Sequence, residues 1–239
     1  VLNFLALCRP MVAQQDAPRL DNGTMWTFDY PPVKYFTERY GFTPSREWLD
    51  ETRLSALRFG GGCSASFISD NGLVMTNYHC GIDAVTQVTL EGEDLLRDGF
   101  VALQQQDERP VPGLYVDQLV AIHDVTGRIQ RAMEGLGGEE ALRARAAAIA
   151  EAQQEYTKDD LICEVVTLYH GGRYSAYQYK RYTDVRLVFS SERGFAFFGG
   201  VYDFWAYPRY SFDCDLFRVY DTNGQPLKTP HYFRWSAEG

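Results

Sequence analysis

Cys63-Ser64-Ala65-Ser66-Phe67-Ile68 and Leu73-Val74-Met75-Thr76-Asn77 flank Ser69-Asp70-Asn71-Gly72, and Tyr78-His79-Cys80 follows directly. Asn-Gly supplies the positive-φ positions of a tight turn, so the stretch reads as a β-hairpin with His79 at the end of its second strand. A general base must be held at a fixed angle, and the end of a rigid strand is a good mount. A bridge between Cys63 and Cys80 would close a loop of about 18 residues, worth about 3 kcal/mol in the chain-entropy model, and would clamp the backbone of His79. The plainer alternative is a structural core histidine beside two buried free thiols.

Outward from the hairpin, Val33, Tyr35-Phe36 and Tyr40 recur at helical spacing, and Pro44-Ser45-Arg46-Glu47-Trp48-Leu49 starts a second short helix. Gly60-Gly61-Gly62 breaks the pattern before Cys63. Strands are expected at Leu114–Ile122, Leu161–Tyr169, Ser175–Tyr182, Asp184–Ser190 and Asp215–Tyr220. Between them, residues 128–156 repeat apolar positions every three to four residues, from Ile129 and Met133 to Leu142, Ala146 and Ile149. Gly137-Gly138 splits this segment into two helices, and Glu139-Glu140 suits the positive end of the second. The fold class is therefore mostly β with a helical insertion, from a strand series that suggests a barrel or sandwich.

The chain has 239 residues, 45% hydrophobic and 15% aromatic, enough for a sizeable core. Lys and Arg number 23 against 32 Asp and Glu, a net charge of -9 that argues against a nucleic-acid partner. No apolar run is long enough to span a bilayer. Val1–Ala13 reads as the tail of a secretory signal, so residues 1–15 are expected to be a signal-peptide remnant that carries Cys8 away. The mature chain would then enter an oxidising compartment. The other end stops just after a strand-like run, and a fragment of a longer protein is expected.

The Cys63–Cys80 segment has the spacing used by trypsin-like serine proteases, C-G-G-S-L-I, a turn, then V-T-A-A-H-C. A histidine base of that kind needs a buried carboxylate on its other ring nitrogen. Asp213-Cys214-Asp215-Leu216-Phe217-Arg218-Val219 fits the frame in which those proteases carry it. Asp213 takes the carboxylate position ahead of Asp215, which reads as a solvated strand residue, and Asp203 is third. The nucleophile is missing. It requires a serine on a tight turn with an oxyanion hole, usually within G-x-S-G-[GS], and no serine of this chain has that wrapper.

Several separated motifs resemble the bacterial dipeptidyl-peptidase 7 and 11 family of serine peptidases. They are Met25-Trp26-Thr27-Phe28-Asp29, Gly62–Phe67, Gly72–Gly81, Tyr179–Phe189, Phe198-Gly199-Gly200 and Trp205-Ala206-Tyr207-Pro208-Arg209, followed by Asp213 and Phe217-Arg218. The resemblance implies a secreted or periplasmic enzyme that releases dipeptides from the free N-terminus of oligopeptides. It implies a chymotrypsin-like double β-barrel, incomplete in this chain, with residues 16–239 forming the N-terminal part of the catalytic domain. It implies a homodimer that needs no metal or other cofactor. His79 and Asp213 correspond to the family's triad histidine and aspartate, and the serine falls in the absent C-terminal part. The family usually has F-G-G-D-x-D-N-[WF] where this chain has Phe198-Gly199-Gly200-Val201-Tyr202-Asp203-Phe204-Trp205. That segment helps hold the substrate's α-amino group. Phe204 replaces the asparagine and cannot accept a hydrogen bond from an ammonium, whereas Trp205 keeps a face that attracts a cation. Either the amino-terminal clamp is weakened, or Asp203 takes over part of the role. Tyr78 stands where many members have a second histidine. The competing expectations are a secreted trypsin-like endopeptidase and a non-catalytic peptide-binding homologue.

Overall fold

The computed structural model describes residues 26–196 and 211–236. The expected signal remnant at residues 1–15 lies outside them. Two short helices come first, α1 (Val33–Tyr40) and α2 (Arg46–Ser55). Gly41 ends α1 in the left-handed region at φ 64°, and the Ser45 hydroxyl caps α2 by accepting from the Trp48 N–H at 3.1 Å. The chain then passes directly into β1 (Ala56–Phe59), β2 (Cys63–Phe67) and β3 (Leu73–Thr76).

β2 and β3 form the expected antiparallel hairpin, with Phe67 opposite Val74 and Ala65 opposite Thr76. Gly72 in its turn has φ 75°, and a Cβ there would meet the Val219 carbonyl at 2.8 Å. Glycine is required twice over, for backbone conformation and for the close passage of a neighbouring strand. One expectation is corrected. The second strand stops at Thr76, and residues Tyr78–Gln87 form a helix, α3. His79 therefore sits in the first turn of a helix and not at a strand end.

After α3 come α4 (Leu95–Asp98), β4 (Phe100–Val101), β5 (Arg109–Pro110) and β6 (Val116–Asp124). The helical insertion is present as α5 (Thr126–Met133) and α6 (Gly138–Tyr156), split at the expected glycines. The chain continues through β7 (Leu161–Leu168), β8 (Arg173–Tyr182), β9 (Val185–Ser190), α7 (Arg193–Ala196) and β10 (Asp215–Val219). The strands form one antiparallel sheet in the order β4-β9-β10-β3-β2-β1-β6-β8-β7, with β5 also pairing β9. No described helix is long and apolar enough to cross a membrane.

Two apolar clusters hold the structure together. The larger one gathers Leu57, Phe67, Val74, Val116, Leu187, Phe217 and Val219 from the sheet with Ala84 and Val85 of α3 and Val88 at its C-cap. The smaller one packs Ile129, Ala148 and Ala152 of the insertion against Tyr174 and Ala176 of β8. The helix bearing His79 is thus bonded to the main core by its apolar face, and its first turn is left at the sheet's rim. β10 crosses beneath it with alternate residues Asp215, Phe217 and Val219 turned inward, as a strand's period of two demands.

Phe217 is fully buried, and its ring centroid lies 4.9 Å from that of Phe59. Phe217→Ala is expected to reduce the unfolding free energy by about 3–5 kcal/mol, read by denaturant titration.

Candidate active site

The site begins with the end of β3. Asn77 is extended at φ -74° and ψ 146°, which is N-cap geometry, but its own side chain does not cap α3. Asp213 does so instead, from 134 residues away. Its Oδ1 accepts from the His79 backbone N–H at 3.1 Å, and its Oδ2 accepts from Asn77 Nδ2 at 3.0 Å. A carboxylate here also meets the positive end of the helix dipole.

The same carboxylate holds the imidazole. His79 Nδ1 lies 2.8 Å from Asp213 Oδ2 and 3.1 Å from Oδ1. With Nδ1–H donating to this acceptor, Nε2 carries the lone pair, the tautomer a general base needs. The His79 side chain is half exposed, and that of Asp213 is only 17% exposed. Asp213 is fixed by three donors, so the ring angle is set by both the helix and the carboxylate. The Cys63–Cys80 bridge is formed and ties the residue after His79 to the first residue of β2. Cys163 and Cys214 are free thiols.

A ring nitrogen of His79 and the two sulfurs of the bridge lie within 4.8 Å of one another. Such a set has the spacing of a metal site, but both sulfurs are consumed by their mutual bond and offer no thiolate. Among the described residues the His79 ring hydrogen-bonds to Asp213 and to no hydroxyl.

Asp215 differs from the expectation of a solvated strand residue. It is 0% exposed, and among the described residues neither of its oxygens has a hydrogen-bond partner. Ser190 faces it across the β9–β10 register, yet the Ser190 hydroxyl is also without a hydrogen bond. Burial pushes the Asp215 carboxyl up to about 7, Ser190 opposes this, and nearby Asp213 adds to it. The carboxyl packs directly on the backbone of α3, because a Cβ at Gly81 would collide with Asp215 Oδ2. Gly81 is needed for lack of a side chain, its φ not being in the left-handed region. Tyr78 is also fully buried with an unpartnered hydroxyl, and burial followed by Asp215 raises it.

The structure thus brings His79, Asp213, Cys63 and Cys80 together. Trp205, Phe204 and Asp203 lie outside the described residues. The buried role of Asp215 was missed, although the alternation of Asp215, Phe217 and Val219 was visible along the strand.

Gly81→Ala must displace either α3 or the Asp215 carboxyl, and a combined loss of about 1–3 kcal/mol in stability is expected from a melting curve. Asp215 gives a pH signature. Its folded value lies above its ordinary 3.8, so its contribution is fully present below about pH 4 and is lost as pH rises through 7. Asp215→Asn removes the ionisable group at unchanged size. The variant's unfolding free energy is expected to rise relative to the parent's between pH 4 and 8, by an amount on the order of a few kcal/mol at the upper end, read by denaturant titration at each pH. A pH-independent gap contradicts this.

The peptidase S46 family model matches residues 20–239. Dipeptidyl-peptidase 7 of Porphyromonas endodontalis is 40% identical over 174 residues, which is 70% of this chain and 21% of the relative. The Asp/Glu-specific dipeptidyl-peptidase of Porphyromonas gingivalis is 29% identical over 260 residues, 99% of this chain and 35% of the relative. The crystal structure of Porphyromonas endodontalis DPP11 superimposes with a TM-score of 0.71 at 28% identity, over 88% of this chain and 32% of that one. The chain spans between 21% and 35% of the length of these two curated relatives. With the family model matched over nearly all of its length, the chain belongs to the peptidase S46 family.

Proposed function

We propose that this chain supplies the general base and the orienting carboxylate of a serine dipeptidyl peptidase that removes dipeptides from the free N-terminus of oligopeptides. The contact of His79 Nδ1 with Asp213 Oδ2 at 2.8 Å is the observation that carries the reading. Membership of a family whose relatives are named dipeptidyl-peptidases supports it. The fold proposed is the N-terminal part of a chymotrypsin-like double β-barrel, with the serine supplied by a part of the protein outside these 239 residues. The disulfide suits the proposed periplasmic or secreted location. A homodimer is part of the same proposal.

In this mechanism His79 Nε2 takes the proton of the serine hydroxyl as its oxygen attacks the peptide carbonyl. The imidazolium formed is stabilised by Asp213, which accepts from Nδ1–H and does not itself take the proton. His79 then gives that proton to the amine of the departing peptide. Water attacks the acyl-enzyme by the same route and frees the dipeptide. The substrate's ammonium is assigned to the segment containing Asp203, Phe204 and Trp205. Phe204 there offers no acceptor, so Asp203 supplies the charge and Trp205 the aromatic face.

In the complete protein, His79→Ala is expected to lower dipeptide release by at least about 10,000-fold, and Asp213→Asn by a similar factor, while both remain folded. Near-parental turnover of His79→Ala refutes the role. Acetylation of the substrate N-terminus separates the exopeptidase from a trypsin-like endopeptidase, since only the latter still cuts. Fluorophosphonate labelling of the complete protein, lost on His79→Ala, separates either from a non-catalytic binder.

A further inference from the structure

A cavity of about 330 Å³ opens beside the Cys63–Cys80 bridge. One wall is the face of α3 on which Cys80, Asp83, Ala84 and Gln87 follow at i, i+3, i+4 and i+7. Apolar side chains contribute elsewhere, among them Phe59 and Val111, both buried in the main core. The turn Gly60-Gly61-Gly62 borders the opening, and a Cβ at any of the three would meet nothing within 4 Å. Asp83 is the one charged side chain in the lining. It is exposed, and no described residue forms an ion pair with it.

The cavity adjoins the site through the disulfide. The sulfurs that wall it lie within 4.8 Å of a His79 ring nitrogen. Any group that receives a proton from His79 must come within hydrogen-bond distance of the ring. In peptide hydrolysis that group is the amine of the first residue on the leaving side. The side chain of that residue branches from the carbon bonded to this nitrogen, so the cavity lies within its reach. An apolar wall with a single unpaired carboxylate suits a side chain that has an aliphatic stem and a cationic head.

We propose that this cavity receives the side chain of the first residue on the leaving side of the scissile bond, and that Asp83 gives it a preference for lysine or arginine. This deepens the peptidase reading and rests on it. A partly exposed ion pair predicts a moderate bias, about three- to tenfold.

The test uses the complete protein and peptides that share their first two residues and differ only in the third, which is Lys, Arg, Ala or Glu. Release of the common dipeptide is followed by mass spectrometry, and kcat/KM is taken for each. The expected order is Lys and Arg above Ala, with Glu lowest. Asp83→Asn is expected to bring the Lys-to-Glu ratio within about twofold of unity, and Asp83→Lys to invert it. Gln87→Glu, one turn along the same wall, is expected to increase it. A parental ratio near one, or a ratio unmoved by all three variants, overturns the assignment while leaving the peptidase reading intact. Failure to release dipeptide from any of the peptides overturns both.

Discussion

The Asp213 carboxylate is the point on which the site's geometry turns. It accepts from the Asn77 amide, from the His79 backbone N–H and from the His79 ring, so one side chain starts the helix and aims its histidine. Capping a helix and selecting a tautomer are separate tasks. Here they are the same contact, and a histidine in the first turn of α3 inherits its angle from the helix axis as well as from the carboxylate. The bridge from Cys80 back to β2 holds that turn against the sheet from the other side. Backbone, disulfide and carboxylate together leave the imidazole little freedom except at Nε2, which is where the proposed chemistry needs it.

Asp213 and Asp215 show how depth alone separates two identical side chains. They project to the same face of one extended segment. Asp213 sits at the rim, where backbone and side-chain donors converge on it. Asp215 is one step further in, under Gly81, with no hydrogen bond to a described residue and a carboxyl held toward its neutral form by burial. Asp117 offers a third case. Its side chain is also fully buried, but Arg58 and Arg181 reach it at 2.8–3.0 Å, and Tyr179 and Tyr115 cover those guanidiniums. Burial is therefore tolerated by pairing at Asp117 and by proton retention at Asp215. The second solution leaves a titratable group beneath the helix that carries the candidate base.

The insertion α5–α6 packs on its own small core against β7 and β8, apart from the main cluster. The His79 helix gains its support from the larger cluster. This division explains why the site's geometry depends on β3, β10 and α3, and why the insertion can follow its own helical pattern without disturbing them.

Much of this was legible in the residues themselves. Asn71-Gly72 set the hairpin, alternation set β8, β9 and β10, a repeat of three to four residues set α5 and α6, and the paired cysteines around His79 marked the site. These are local signals, each carried by neighbours within one turn or one strand. The helix at Tyr78–Gln87 was not legible, because its cap is not the adjacent Asn77 side chain but a carboxylate brought in from the far side of the sheet. Asp213 was already singled out by its place at the head of the Asp215–Val219 run, but the burial of Asp215 awaited the packing of β10 between β3 and β9. Periodicity assigns a side chain to a face. Only the assembled sheet determines how deep along that face it lies, and depth decides whether a carboxylate finds donors or keeps its proton.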